Sequence, residues 1–494
     1  MKSFSDLSNN TASSWLRDKG LRRNIGYDGS YLNGLQSLTT WNEYFDHPSG
    51  NRLGLVSAMS YLPSLAIMPL YAISCDYLGR KPTNYIGCVL ILAGAILGAL
   101  AKNEGALIGG RSIVGIGGSL LGLSANLLVN EILHPRLRSV GGAFFLVFYY
   151  TGGLVSAWTT YGVVASGWDA RGDEWSWRLP TLLQAVGPVI LFIGTIFFVP
   201  ESPRWLIAHG KKDRAHKILA DHHANGKMDD ELVLFELEEI ETAIEREKRD
   251  KQGFMSFLRT KGNRHRLLIL ATCATGSQGN GVAVFSYYLT PVLRLVGVTE
   301  ATKQLGINGG MQIWNLILAA TGASIVEKLG RRKVWLIGTA GMLCSYICLT
   351  GLSGGFDATQ KESVGLASVA FMTPLPLSYS TEILPYSMRA SGMSLLTWMQ
   401  NAVLCVNQWV NPIALEKAGW KYYFIFLAAL VVFLLVIYFT FVETAGLSLE
   451  EVALLFDGNE GTTLREKKEA VDAHLKAGGK LDTEHVEDVD KVSV

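Results

Sequence analysis

An all-α membrane protein of two pseudo-symmetric six-helix bundles is the fold this sequence predicts, and three observations carry the prediction. The first is a signature written twice. Asp76-Tyr-Leu-Gly-Arg80-Lys81 is followed by Glu131-Ile-Leu and then Arg138; Glu327-Lys-Leu-Gly-Arg331-Arg332 is followed by Glu382-Ile-Leu and then Arg389. The copies lie 251 residues apart, and the spacing from acid to acid is 55 in both. The second is a series of uncharged runs near the roughly 20 residues that a spanning helix needs. The third is composition: 49% of the 494 residues are hydrophobic and 18% are charged, with a mean hydropathy of +0.23. Charges repeated at equivalent ends of a duplicated helical bundle are the plan of a carrier that rocks about a central site.

In chain order, the spans are expected near 53–73, 84–101, 106–129, 140–163 and 179–199, then 267–289, 306–326, 334–352, 391–412 and 421–442. All are expected to be helices, because lipid satisfies no open backbone groups and no barrel-like alternation is present. Two weaker segments complete a six-plus-six arrangement. One is 24–41, amphipathic and Gly-rich; the other is 364–381, interrupted by Pro374 and Pro376. The resulting divisions are an N-terminal segment 1–25, a first bundle 26–200, a charged helical linker 201–263, a second bundle 264–443 and a polar, disordered tail 444–494. Within the linker, Glu231–Arg249 has acids and bases a turn apart and reads as an exposed helix.

Positive charge collects at Arg80 and Lys81, at Arg136 and Arg138, and at Lys328 to Lys333. Loops on the other face mix signs, as at Asp169 to Glu174. The positive-inside rule puts the basic loops and both termini in the cytoplasm, and a multi-pass plasma-membrane protein is expected. The net charge of +1 gives no case for nucleic-acid binding. The six cysteines lie in or beside apolar runs without metal or disulfide spacing and read as packing residues. No catalytic triad or metal motif is present in the spans, so an enzyme is not expected and no cofactor is implied beyond a proton gradient.

Gly79-Arg80-Lys81, Pro200-Glu-Ser-Pro-Arg-Trp-Leu206, Gly330-Arg-Arg-Lys333 and Val442-Glu-Thr-Ala-Gly-Leu-Ser-Leu-Glu-Glu451 together resemble the sugar-porter branch of the major facilitator superfamily, from about Gly26 to Glu451. Gly26-Tyr-Asp-Gly-Ser-Tyr-Leu-Asn-Gly-Leu-Gln36 is similar to fungal lactose-permease and hexose-transporter members. The resemblance implies a monomer in the lipid bilayer that moves a small-molecule sugar, by proton symport. It implies sugar contacts from Gln278, Asn280, Tyr287 and Tyr288 on the seventh span, Asn315 on the eighth and Gln400 on the eleventh. The fifth-span glutamine and tenth-span tryptophan of the family are replaced by Leu146 and Leu377. Asp28 is the expected proton carrier and Arg111 its partner, since a carboxylate in a membrane helix is costly unless paired or protonated.

Asp76, Arg80, Glu131, Arg138, Glu201 and Arg204 cluster where helices leave the membrane on one face, as do Glu327, Arg331, Arg332, Glu382, Arg389 and Glu443. They are expected to form ion pairs between the bundles that hold the cytoplasmic side shut. The chain departs from the family in two places. Arg22-Arg23-Asn24 runs straight into Gly26, where the family has some three apolar turns, and the tenth span lacks turns before its prolines. With the first and tenth helices shortened, weak transport is expected. The alternatives on the same fold are a non-transporting sugar sensor and an inactive splice or gene-model variant.

Overall fold

A computed structural model of the chain describes residues 28–134, 138–249, 256–359 and 386–443. The first bundle opens with two short helices, α1 (Asp28–Leu35) and α2 (Thr39–Tyr44). The Asp169 carboxylate accepts from the amides of Thr39 and Thr40 at 2.9 and 3.0 Å. It thereby satisfies the free N–H groups at the start of α2. The second span is α3 (Gly50–Ala58) and α4 (Leu62–Leu78), with Pro63 in the first turn of α4. Then come α5 (Arg80–Ala99), α6 (Glu104–Ile132), α7 (Arg138–Ala165), α8 (Trp175–Leu183) and α9 (Val186–Phe198). The Asn103 side chain caps α6 by accepting from Ala106 N at 2.8 Å.

The linker forms α10 (Pro203–Ala208), α11 (Lys212–His223), α12 (Glu231–Arg249) and α13 (Ser256–Arg259). Its helices enclose a small core of Leu219, Ala220, Val233 and Leu237. His223 fastens this core to the first bundle. One ring nitrogen meets the Glu236 carboxylate at 2.5 Å, and the other lies 2.9 Å from the Ile132 carbonyl at the end of α6. The exposed helix expected at Glu231–Arg249 is therefore anchored along one face.

The second bundle contains α14 (Lys261–Gln278), α15 (Val282–Leu295), α16 (Ala301–Leu329), α17 (Arg331–Thr359), α18 (Tyr386–Ala418) and α19 (Tyr423–Thr440). The expected tenth span, and the approach to Gly26, lie outside the described residues. Six described runs are long and apolar enough to cross a membrane: Arg80–Ala99, Glu104–Val129, Trp175–Phe198, Lys261–Leu295, Arg332–Thr359 and Ser394–Thr440. Ile193, Phe197, Val432 and Phe439 are exposed on the outside of this assembly, an apolar surface that water would penalise and lipid does not.

The internal repeat is visible in how each bundle ends. Gly79 (φ 106°) stands before α5 and Gly330 (φ 89°) before α17, both in the region that favours glycine. A carboxylate lies against each: a Cβ on Gly79 would meet Glu201 Oε2 at 2.7 Å, and one on Gly330 would meet Glu443 Oε2 at the same 2.7 Å. Glu201 also accepts from the amides of Arg80 and Lys81 at 3.1 and 3.2 Å. An anion at a helix N-terminus is where its dipole is best placed. Each bundle thus has its last span return an acid to the first turn of its third.

Candidate functional site

The two bundles meet along a seam at the ends of the helices remote from the basic loops. Its centre is a break in the seventh span. The sequence predicts one helix over 267–289; the structure separates α14 from α15 at Gly279–Gly281 and gives Tyr288 non-helical angles of φ −131° and ψ 31°. Pro291 is the reason for the second irregularity, because it has no N–H for the carbonyl of Tyr287 and its ring crowds that carbonyl. The freed Tyr287 oxygen accepts from Gln36 Nε2 at 3.0 Å.

Asn33 fills the same gap from α1. Its side-chain nitrogen donates to the carbonyls of Phe285 (3.2 Å) and Ser286 (2.7 Å), and its side-chain oxygen accepts from Leu289 N at 2.9 Å. One carboxamide from the first bundle therefore replaces backbone bonds that the broken helix of the second has lost. Around it, Ser37 and Thr290 share a 2.7 Å hydroxyl contact, Tyr61 bonds Tyr287 at 3.1 Å, and Trp409 Nε1 donates to Asn51 at 2.8 Å.

Beside this seam the second bundle holds a small cavity of about 20 Å3, room for about one water, that opens toward solvent. It is lined by Phe285 and Ser286 of α15, Asn308, Gln312 and Asn315 of α16, and Ser345 and Tyr346 of α17, with Val282, Met311 and Met342 completing the wall. Asn308, Gln312 and Asn315 are 4%, 8% and 7% exposed. The Asn308 side-chain nitrogen, the Asn315 side-chain oxygen and the Tyr346 hydroxyl are buried without a hydrogen-bond partner. Amides and hydroxyls without a partner beside an aromatic face are suited to a ligand rich in hydroxyl groups.

Of the six side chains expected to contact sugar, Asn315 lines this cavity. Asn280 is at its edge: its oxygen caps Val282 N at 3.0 Å and its nitrogen lies 3.6 Å from the sulfur of Met342. Tyr287 belongs to the seam. Tyr288 is fully buried, and its hydroxyl donates to the Gln408 carbonyl at 2.5 Å, fastening α15 to α18. Gln400 donates to Ser277 Oγ at 3.1 Å, while the Gln278 carbonyl accepts from Asn407 at 2.6 Å. Gln400 and the Gln278 carbonyl thus help tie α14 to α18. Asn308, Gln312, Ser345 and Tyr346 were not among the expected residues. The 308–312–315 spacing, which places three amides on one helix face, was the available signal.

Arg111 is 5% exposed and donates through Nε to the Val56 carbonyl at 2.9 Å, near the end of α3. Asp28 is the first residue of α1, and its side chain lies outside the structure's description. Among the charges expected to bridge the bundles, Arg80 finds partners in its own. It makes a two-pronged pair with Glu131 at 3.1 and 3.2 Å, meets Asp76 at 3.4 Å and donates to the Cys75 carbonyl. Ser202 also bonds Glu131. Arg332 donates to the Tyr438 carbonyl at 2.7 Å and lies over that ring. In the structure Arg80, Asp76, Glu131 and Glu201 pair with one another's side chains or backbone inside the first bundle, and Arg332 bonds within the second. Arg204 and Glu443 lie on the same face. The side chains of Arg138, Glu327, Arg331 and Arg389, and the whole of Glu382, lie outside the described residues.

Gly281 tests the cavity wall. Its φ is 87°, and a Cβ there would collide with the Tyr346 hydroxyl and reach Phe426 Cγ at 2.9 Å. Gly281→Ala is expected to cost about 1–3 kcal/mol from backbone strain alone, read as a lower unfolding temperature of the purified protein. Gly351→Ala, whose Cβ would meet nothing within 4 Å, is expected to leave that temperature unchanged.

Residues 23–456 match the model of a family described as sugar (and other) transporter. A high-affinity glucose transporter of Kluyveromyces lactis is 28% identical, over 88% of this chain and 83% of that protein. An MFS-type transporter, oryC, of Aspergillus oryzae is also 28% identical, covering 80% and 75%. A quinate permease of Neurospora terricola is 27% identical, covering 88% and 86%. Among solved structures, the xylose transporter XylE of E. coli in a partially occluded inward-open conformation superposes with a TM-score of 0.70, over 86% of this chain and 96% of that one, at 19% identity. Its fold is the one described above. Two bundles with matching glycine–carboxylate ends, a polar seam between them and an amide-lined cavity in the second agree with that match, and the chain belongs to the sugar (and other) transporter family of the major facilitator superfamily, a family of membrane carriers and not of enzymes.

Proposed function

We propose that this chain carries a sugar, or a close polyhydroxylated relative, across the plasma membrane by alternating access coupled to protons. The observation that carries the reading is the cavity in which Asn308, Asn315 and Tyr346 present buried polar atoms without partners. Buried amide and hydroxyl atoms without a protein partner leave hydrogen bonds available to a ligand that enters the cavity. The relatives support the substrate class: two are named glucose transporters and three are named quinate permeases. The seam supports the mechanism, because bonds gathered at one face can open while the other closes. The chain works as a monomer in the bilayer, with both termini and the basic face cytoplasmic.

Asp28 takes the proton and Arg111 stabilises its charged form. The supporting observation is that Arg111 is held inside the bundle, where a nearby carboxylate would be drawn to it. A related solved structure is titled a proton:xylose symporter, 20% identical to this chain. The test is uptake of labelled sugars by cells expressing the full chain and a version with an apolar stretch restored between Arg23 and Gly26 and turns restored before Thr373. The restored version is expected to accumulate sugar more strongly at acidic external pH and to lose accumulation with a protonophore. Asp28→Asn is expected to abolish accumulation and leave exchange, since an amide does not cycle between charged and protonated forms. Equal accumulation by both would remove Asp28 from the mechanism. Binding of sugar by the restored carrier without any uptake would make it a sensor on the same fold.

A further inference from the structure

We infer that Asn308 and Gln312 extend the substrate site along α16 and select uncharged polyhydroxylated ligands over polyhydroxy carboxylates. The inference rests on the proposed sugar-carrier reading and narrows its substrate class. Three observations carry it. First, Asn308, Gln312 and Asn315 stand at successive turns of one helix face, so their amides form a ladder roughly 10 Å long at about 1.5 Å per residue. The opposite side of the same helix exposes Ile313, Trp314 and Ile317 and faces lipid. The ladder is therefore a directed feature of the interior.

Second, Asn308 and Asn315 are more than nine-tenths buried, line the cavity, and each keeps an amide atom without a partner. A polar residue that merely joins two membrane helices would have its partner on the neighbouring helix, as Gln400 has in Ser277. Asn308 and Asn315 leave an atom over at each end of the ladder.

Third, the described lining contains amides, hydroxyls, methionines and a phenyl ring, and among the described residues no charged side chain lines the cavity. A carboxamide has a donor and an acceptor side by side, and so does a hydroxyl; the two match in either orientation. A carboxylate only accepts. In this cavity it would face amide oxygens as well as nitrogens, and it would leave water without a cation to compensate. The relatives named quinate permeases show that the family's fold can serve other ligands; the ladder assigns this chain to the neutral class.

The experiment is binding to the full chain, purified in lipid nanodiscs, of D-glucose, lactose, myo-inositol and quinate, measured by titration calorimetry. Folding of each variant is checked by size-exclusion profile and unfolding temperature. The wild-type chain is expected to bind at least one neutral ligand and to bind quinate at least tenfold more weakly. Asn308→Ala and Gln312→Ala are each expected to weaken the neutral ligand about five- to tenfold, the scale of one lost hydrogen bond. Asn308→Asp, which keeps the shape but loses the donor and adds charge, is expected to weaken it at least as much, and keeps the test decisive if either alanine variant misfolds. Neutral-ligand affinity unchanged in folded Asn308 and Gln312 variants would overturn the inference while leaving the sugar-carrier reading in place. Quinate binding as tight as the best neutral ligand would overturn the selectivity. Quinate binding alone, or binding of none of the four by the folded chain, would overturn both.

Discussion

Replacing Asn33 by alanine is expected to open the face remote from the basic loops. The side chain donates to Phe285 O and Ser286 O and accepts from Leu289 N, so its removal leaves an amide and at least one carbonyl of a broken helix without partners. Each such buried group costs about 1–3 kcal/mol. The cost falls only on the conformation in which α1 and α15 touch. A bias of about 2–3 kcal/mol moves a two-state equilibrium by roughly 30- to 150-fold. Spin labels on Asp173→Cys and Lys303→Cys, exposed residues of the first and second bundle near this face, would report it once the six native cysteines are replaced. The distance between labels is expected to lengthen in Asn33→Ala. Asn33→Asp sets a buried carboxylate against the Phe285 and Ser286 carbonyls, so it is expected to lengthen the distance at least as much. An unchanged distance distribution in Asn33→Ala would show that the seam does not depend on this carboxamide.

Asn33 also shows where the sequence could and could not be read. Residues 24–41 make a weak spanning candidate because Asn33, Gln36 and Ser37 interrupt the apolar pattern. The structure explains the weakness: these side chains serve a partner backbone, so polarity there is required. Pro291 was equally visible, yet its effect depends on which group receives the carbonyl it frees, and that group is 251 residues earlier in the chain. The duplicated charges were legible because a helix end must be punctuated locally, by a glycine of positive φ and an acid at the next N-terminus. Which residue pairs with Arg80 was not, because several acids on one face satisfy the same pattern. For the cavity, the family's positions lead to Asn315 and also to Gln278 and Gln400. Whether an amide faces a ligand or a neighbouring helix is decided by what lies within about 3 Å of it, and for Gln400 that is Ser277. Helical spacing alone picks out Asn308 and Gln312, since three amides on one face are hard to bury for packing.

The second large effect is expected at Arg80, and it separates two arginines of the repeated signature that stand at different positions in it. Arg80 is 9% exposed and makes a two-pronged pair with Glu131, a bond to the Cys75 carbonyl at the end of α4 and a contact with Asp76. Arg80→Ala would leave Glu131 a largely buried carboxylate, and breaking a buried pair by removing one member costs about 3–5 kcal/mol. Arg332 instead caps the end of α19 through the Tyr438 carbonyl and covers that ring. Its removal loses one bond and some packing, about 1 kcal/mol. Unfolding followed by tryptophan fluorescence in detergent is therefore expected to show a clearly larger fall in stability for Arg80→Ala than for Arg332→Ala. Arg80→Lys keeps the charge without the planar fork and is expected to fall between them. In the repeat, the partner of Arg80 is Arg331, whose 251-residue offset matches that of Gly79 and Gly330. Arg331→Ala is expected to behave as Arg80→Ala does. If Arg332→Ala proved as damaging as Arg80→Ala and Arg331→Ala proved mild, the correspondence between the two bundles would have to be shifted by one residue at this turn.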